Sequence, residues 1–226
     1  MAKRGLRVGV VDTDIQSPGV HILFGLEGEK ITNSLNEYLW HGLEVSAVAR
    51  DMTPHLEAPV SGQIFLIPSS SQPSQIALVL RDGYDVEKLT LGFRNLVDEL
   101  ELDVLLIDTH PGLNKETLLS LVIADVLAII LRPDNQDYEG TGITVRVAQQ
   151  LGVPNLRLIV NKSPRSLEPE AVKQQVEQAY GCNVVAVLPH SDDMMELGSE
   201  TIFALRYPDH PMTAQYDEIV TALMRA

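Results

Sequence analysis

Apolar positions along the chain change period repeatedly, from short unbroken runs bounded by turn residues to stripes at helical spacing. Unbroken runs predict strands buried on both faces of a sheet, and stripes predict amphipathic helices. By that pattern Leu6 to Val11, Gln63 to Pro68, Asp103 to Asp108, Ala124 to Leu131, Leu156 to Val160 and Asn183 to Leu188 are strands. Ile31 to Trp40 is a helix with Ile31, Leu35, Tyr38 and Leu39 on one face, and Trp40 belongs in the core or at its edge. Val86 to Leu100 is a second helix, with Leu89, Phe93, Leu96, Val97 and Leu100 facing inward. Leu113 to Ile123, Tyr138 to Leu151, Pro169 to Tyr180 and Thr213 to Met224 read as further helices, and Gly152 and Gly181 as stops. Val20 to Leu26 is a short helical turn and Gln75 to Leu80 weakly helical. Leu43 to Pro59, with Pro54 and Pro59 and no sustained period, is irregular, as is the stretch before Thr213.

Strands alternating with helices predict an α/β fold: one doubly wound, mostly parallel sheet with helices on both faces, forming a single domain over residues 1–226. Right-handed crossovers then gather the carboxyl ends of the strands at one edge, where open sheets bind ligands.

Composition narrows the function classes. The 226 residues are 45% hydrophobic and 21% charged, with a net charge of −14. That balance disfavours nucleic acid and anionic membrane as partners. The last helix carries an apolar stripe of Met212, Tyr216, Ile219, Val220 and Leu223 with Arg225 as its basic neighbour, which suits core packing rather than membrane insertion. No long uncharged apolar run could span a bilayer, and the N-terminus lacks the apolar core of a signal peptide, so a cytoplasmic location is expected. Cys182 is the single cysteine; it can form no intramolecular disulfide and reads as a packing residue.

Candidate chemistry sits at strand ends. The first strand delivers Asp12 and Asp14 into a segment broken by Pro18 and Gly19, and a second delivers Asp108 into a Pro-Gly turn. Each acid alone is more often a solvated loop residue than a metal ligand. Two parallel strands presenting acids at one edge instead suit a divalent metal and a phosphate, and an apolar strand ending in aspartate is the Walker B pattern. Asn161-Lys162 closes a third strand. An asparagine amide can pair with an adenine edge, and it can equally satisfy its own turn. Pro189-His190, at a fourth strand end, could wall a base pocket or be an ordinary loop. Histidines 21, 41, 55, 110, 190 and 210 show no metal-ligand spacing; His110, beside Asp108, admits a site role but reads rather as turn filler. Neither G-x-S-x-G nor G-x-G-x-x-G occurs.

As an ordered set, these pieces resemble the MinD/ParA family of P-loop ATPases. Val10-Val-Asp-Thr-Asp-Ile-Gln-Ser-Pro-Gly19 is similar to that family's switch I, and Leu105-Leu-Ile-Asp-Thr-His-Pro-Gly-Leu113 to its Walker B and switch II. Ala124-Asp125, Val160-Asn161-Lys162 and Val187-Leu-Pro189 follow in the family's order. The resemblance implies ATP or ADP with Mg²⁺ as cofactors. It implies that Asp14 positions or activates the attacking water, that Asp108 holds Mg²⁺ through water, and that Asp12 supports the metal from behind. It further implies that Gly112 senses the γ-phosphate, Asn161 contacts adenine, and Pro189 and His190 line the base pocket. Members typically dimerise around two ATP molecules and use hydrolysis to time attachment to a membrane, DNA or a partner; with membrane and DNA disfavoured above, a homodimer and a protein partner or cargo of unspecified identity are implied.

One departure stands out. The family's first strand and glycine-rich phosphate loop do not occur, because no Gly-Lys dipeptide exists in these residues. Ala2 to Gly5 reads as the end of the helix that follows such a loop, so the loop is expected upstream of Met1, and truncation is favoured over degeneration. Two other readings compete. One is a non-enzymatic interaction module that kept the fold without nucleotide turnover. The other is a receiver-like phosphate acceptor using Asp12, Asp14, Asp108 and Lys162, against which the chain length and the Asp-Thr-His-Pro-Gly turn argue.

Overall fold

Leu6 to Val11 extends as its valines require: β1 spans Arg7–Asp12 and is an interior strand of its sheet. The computed structural model describes residues 1–26, 31–110, 112, 117–118, 120 and 123–225. These divide into two compact units, Met1–Leu119 with Ser199–Arg206, and Ser120–Gly198 with Tyr207–Ala226.

In the first unit β2 (Arg50–Asp51), β3 (Gln63–Ile67) and β4 (Val104–Asp108) join β1 in the order β2-β3-β1-β4. β1 is parallel to both neighbours, and β2 is antiparallel to β3. Gly9 lets β1 approach the chain below it: a Cβ there would lie 2.6 Å from a Leu102 methyl and 2.8 Å from a Leu105 methyl. Helices α1 (Leu35–His41), α2 (Val45–Val48), α3 (Pro73–Asp82) and α4 (Val86–Glu99) complete the unit. Leu35, Val45, Val48, Leu66, Ile67, Leu89 and Leu96 are fully buried. Arg7 clamps the end of α4, donating from Nε and Nη2 to the Leu100 carbonyl and from Nε to that of Glu101, with its guanidinium 5.3 Å from the Phe65 ring centre. A cation on the last carbonyls of a helix satisfies acceptors that have no partner within the helix.

Several boundaries differ from the sequence expectation. α1 begins at Leu35 because Ser34 and Glu37 form a capping box, although Ile31 is buried ahead of it. Pro73 at the first turn starts α3 earlier than its weak stripe indicated. The stretch expected to be irregular contains α2, β2 and a short 3₁₀ turn, Thr53–His55. Val97 was expected inside but is 37% exposed, on the outer side of α4. Trp40 is half-buried and meets Tyr84 edge to face at 5.8 Å.

In the second unit β5 (Leu127–Leu131), β6 (Leu156–Ser163) and β7 (Asn183–Pro189) form a parallel sheet in chain order. Leu131, Leu158, Val160, Val184 and Val187 pack with Val145 of α5 (Asn135–Gln150) and with Val172 and Val176 of α6 (Pro169–Tyr180). Ile159 and Leu188 point to the other face and pack against Ile219 of α9 (Pro211–Leu223). The alternation of neighbours along β6 therefore feeds two helical layers, the doubly wound arrangement. Two short helices, α7 (Asp192–Leu197) and α8 (Phe203–Arg206), occupy the stretch expected to be irregular, α7 in this unit and α8 in the first. Of the helix expected over Leu113 to Ile123, Thr117, Leu118, Ser120 and Ile123 are helical, and the other positions lie outside the described residues.

Candidate functional site

β1 and β4 run in parallel register so that Asp12 stands opposite Asp108. Two neighbouring apolar strands thus release their acids at the same level of one edge. The backbone fixes the stems of both loops, since Thr13 donates to the Asp108 carbonyl from its N–H at 2.9 Å and from its hydroxyl at 2.6 Å. Ser69, at the end of β3 and fully buried, donates to the Asp12 carbonyl at 2.7 Å.

The three acids are used differently. Asp12 has no exposure, and its carboxylate accepts backbone N–H bonds from Asp14 at 3.1 Å, Gly19 at 3.0 Å and Val20 at 3.2 Å. It therefore ties the loop over residues 13–20 back onto β1. Burial raises its pKa, against the three backbone donors that lower it. Asp14 accepts from Ser17 N–H at 3.0 Å, and its Oδ1 lies 2.9 Å from His110 Nδ1. Among the described residues no such backbone donors face Asp108: desolvation at the strand edge, then repulsion from Asp12 and Asp14, pushes its pKa up to about 6, although the residue itself is open to solvent.

His110 is thus corrected from turn filler to a partner of Asp14, across 96 positions of sequence. The only local signal for it was its place two residues after Asp108. Gly112 has φ +105°, a backbone conformation that favours glycine, while Pro111 and Leu113 lie outside the described residues.

In the second unit β6 continues past Asn161 to Ser163, where it pairs with Pro189 of β7. Asn161 Oδ1 accepts from Lys162 N–H at 2.9 Å, and Lys162 takes φ +55°. The turn-satisfying reading of Asn161 is therefore realised, with its amide N–H₂ left to donate elsewhere. His190 N–H donates to the Ser163 carbonyl at 2.8 Å, and its ring lies 3.4 Å from Asp192. Asn161, Pro189 and His190 thus share the carboxyl edge of the β6–β7 pair.

Among the described residues no group of three or more His, Cys, Asp or Glu is placed to hold a metal ion. Asp12 and Asp108 at one strand edge are donors of the kind Mg²⁺ takes, since it is ordinarily held by one or two carboxylates together with water and substrate phosphates. The uncompensated negative charge around Asp108 is what a divalent cation would relieve.

The described strands form mostly parallel α/β sheets with acids at adjacent strand ends, the architecture that solved relatives share. The chain belongs to the ParA family of ATP-binding P-loop NTPases: residues 1–224 match the family model described as ParA, NUBPL iron-transfer P-loop NTPase. An uncharacterised ATP-binding protein of Methanocaldococcus jannaschii is 26% identical over 227 residues, covering 100% of this chain and 79% of the relative. An iron-sulfur cluster carrier protein of Pyrococcus abyssi is 25% identical over 242 residues, covering 99% of this chain and 77% of the relative. The septum site-determining protein MinD of Pyrococcus horikoshii, solved in complex with Mg-ADP, shares the fold with a TM-score of 0.77 at 18% identity, over 96% of this chain and 83% of that one. The resemblance read from the motifs is borne out for family and fold. No described helix is long and apolar enough to cross a membrane.

Proposed function

We propose that this chain is a MinD/ParA-like switch, a single nucleotide-binding domain that couples Mg-ATP binding and hydrolysis to dimerisation and to the positioning of a protein partner or cargo in the cytoplasm. The observation that supports this reading is the register of Asp12 with Asp108, which sets Asp108 among negative charges at the edge to which the reading assigns the phosphates. In this reading Asp108 holds Mg²⁺ through water. Asp12 supports the site chiefly by fixing the loop that carries Asp14, because its oxygens already accept three backbone N–H groups. Asp14 serves the attacking water, Gly112 reports the γ-phosphate, Asn161 meets the adenine through its amide donors, and Pro189 and His190 wall the base. Magnesium supplies charge neutralisation of the phosphates.

These 226 residues contain no G-x-x-x-x-G-K-[ST] sequence, which ordinarily provides the N–H cradle, the phosphate lysine and a direct Mg²⁺ ligand. Weak nucleotide binding and negligible turnover by this chain follow. Isothermal titration with Mg-ATP and Mg-ADP, on this chain and on a form extended by upstream coding sequence, tests the reading. Binding by the extended form alone supports a switch whose phosphate loop lies upstream; binding by neither form supports the interaction module and ends the switch proposal. Iron-sulfur carriage is not the reading favoured here, because clusters are held by several thiolates. These residues offer one cysteine, Cys182, whose pKa is raised by burial.

A further inference from the structure

We propose that Asp14 and His110 act as a dyad in which Asp14 orients the imidazole and His110 Nε2, rather than Asp14 itself, holds the attacking water. The inference rests on the ATPase reading above and names a residue that the motif resemblance left out. Asp14 Oδ1 faces His110 Nδ1 at 2.9 Å and also accepts the Ser17 N–H at 3.0 Å, so one carboxylate oxygen is committed to two donors. A carboxylate can only accept, so the neutral ring facing it carries its proton on Nδ1 and leaves the Nε2 lone pair as an acceptor. The side chain of His110 is 33% exposed and that of Asp14 14%, so the ring rather than the carboxylate is the more open to solvent.

Both partners are held from behind. The Asp14 N–H donates to Asp12, the Thr13 N–H and hydroxyl donate to the Asp108 carbonyl, and Thr117 Oγ1 donates to the His110 carbonyl at 3.2 Å. An acid that fixes the tautomer of a histidine whose far nitrogen meets the reactant is the division of labour found in hydrolase triads. In the step itself a water hydrogen-bonded to Nε2 attacks the terminal phosphorus of ATP. The new P–O bond forms as the bridging P–O bond breaks, and ADP leaves with the electron pair. The water's proton passes by way of Nε2 to an oxygen of the departing phosphate, returning the ring to its starting tautomer.

Two measurements test the dyad. In the ¹⁵N-histidine-labelled chain, long-range ¹H–¹⁵N correlations are expected to show His110 as the Nδ1–H tautomer. In D14A, which removes the acceptor facing Nδ1, it should move toward the Nε2–H form that free imidazole side chains prefer. An Nε2–H ring in the wild type overturns the inference without recourse to any variant, as does a tautomer that D14A leaves unchanged.

The second measurement is steady-state phosphate release by the upstream-extended protein. H110N keeps a donor to Asp14 but has no acceptor at the Nε2 position. It is expected to lower kcat about 10- to 100-fold with KM for ATP unchanged, and D14N with H110A together should cost no more than either alone. If ATP binds and H110N turns over like the wild type, the ring is only a latch and the dyad is overturned while the switch reading stands. If the extended form binds no nucleotide, both fall.

Discussion

The strand ends of β1 and β4 and those of β6 and β7 carry comparable sets of candidate residues, but they satisfy their polar groups in different ways. At the first edge Asp12 is wholly buried and accepts three backbone N–H groups from a loop it holds in place, while Ser69 braces its carbonyl from β3. At the second, Asn161 bonds its immediate neighbour, and His190 reaches Asp192 two positions on. Bonds from the loop over residues 13–20 to one wholly buried carboxylate make the first edge a charged framework. At the second edge the backbone is tied across the strands by His190 N–H to the Ser163 carbonyl, while the Asn161 and His190 side chains bond near neighbours close to the surface, where a ligand could rearrange them at little cost. A buried polar group left without partners costs far more than an exposed one, so the two edges should respond unequally to the same kind of substitution.

The largest effect is expected for Asp12→Ala. It leaves the Asp14, Gly19 and Val20 N–H groups without their acceptor and should destabilise the chain by about 2–4 kcal/mol in denaturant unfolding. Asp12→Asn, which keeps an acceptor oxygen, should lose less. A loss below about 0.5 kcal/mol in the alanine variant would remove the distinction between the edges.

Asp108 sharpens the same contrast through pH. Its folded pKa of about 6 lies above the ordinary 3.8, so the folded state binds more protons than the unfolded chain across that interval. The stability it contributes is fully present below about pH 4 and is lost as pH rises through about 6. Solvent reaches this residue and screens part of the repulsion, which keeps the effect moderate. Asp108→Asn should flatten that segment of the thermal stability profile and raise the melting temperature at neutral pH. Millimolar Mg²⁺ should raise it in the wild type and leave the variant unmoved. A profile unchanged by the substitution would mean that the acid cluster carries no excess charge.

Ser69→Ala removes one buried hydroxyl bond to the Asp12 carbonyl, for a loss of about 1 kcal/mol. Asn161→Ala is the smallest, expected within about 0.5 kcal/mol of wild type because only a turn bond is lost. Its signature is weaker Mg-ATP binding in the upstream-extended form. An Asn161→Ala variant as unstable as Asp12→Ala would abolish the comparison.

The strands and the acids that end them were legible because apolar runs closed by aspartate or by Pro-Gly are local signals. β1, β3 and β4 appear within a residue or so of where the pattern placed them. Less of the capped and short elements was legible. The Ser34–Glu37 capping box, rather than the apolar stripe that begins at Ile31, decides where α1 starts. α2 and β2 lie in a segment with no sustained period, and β2 exists through its pairing with β3. Val97 fits the inward stripe of α4 by spacing, but it faces solvent because no described element covers that side of the helix enough to bury it.

By itself, the sequence determined that this chain alternates strands and helices, that its acids fall at strand ends, and that it resembles the MinD/ParA family. Those properties depend on residues close together in the chain. Tertiary structure decided that Asp12 stands opposite Asp108, that Asp12 is a buried anchor rather than an open ligand, and that His110 meets Asp14. These pairings depend on sheet order and register, which place residues nearly a hundred positions apart at hydrogen-bond distance. Register is set by the packing of whole faces, so no local pattern encodes it.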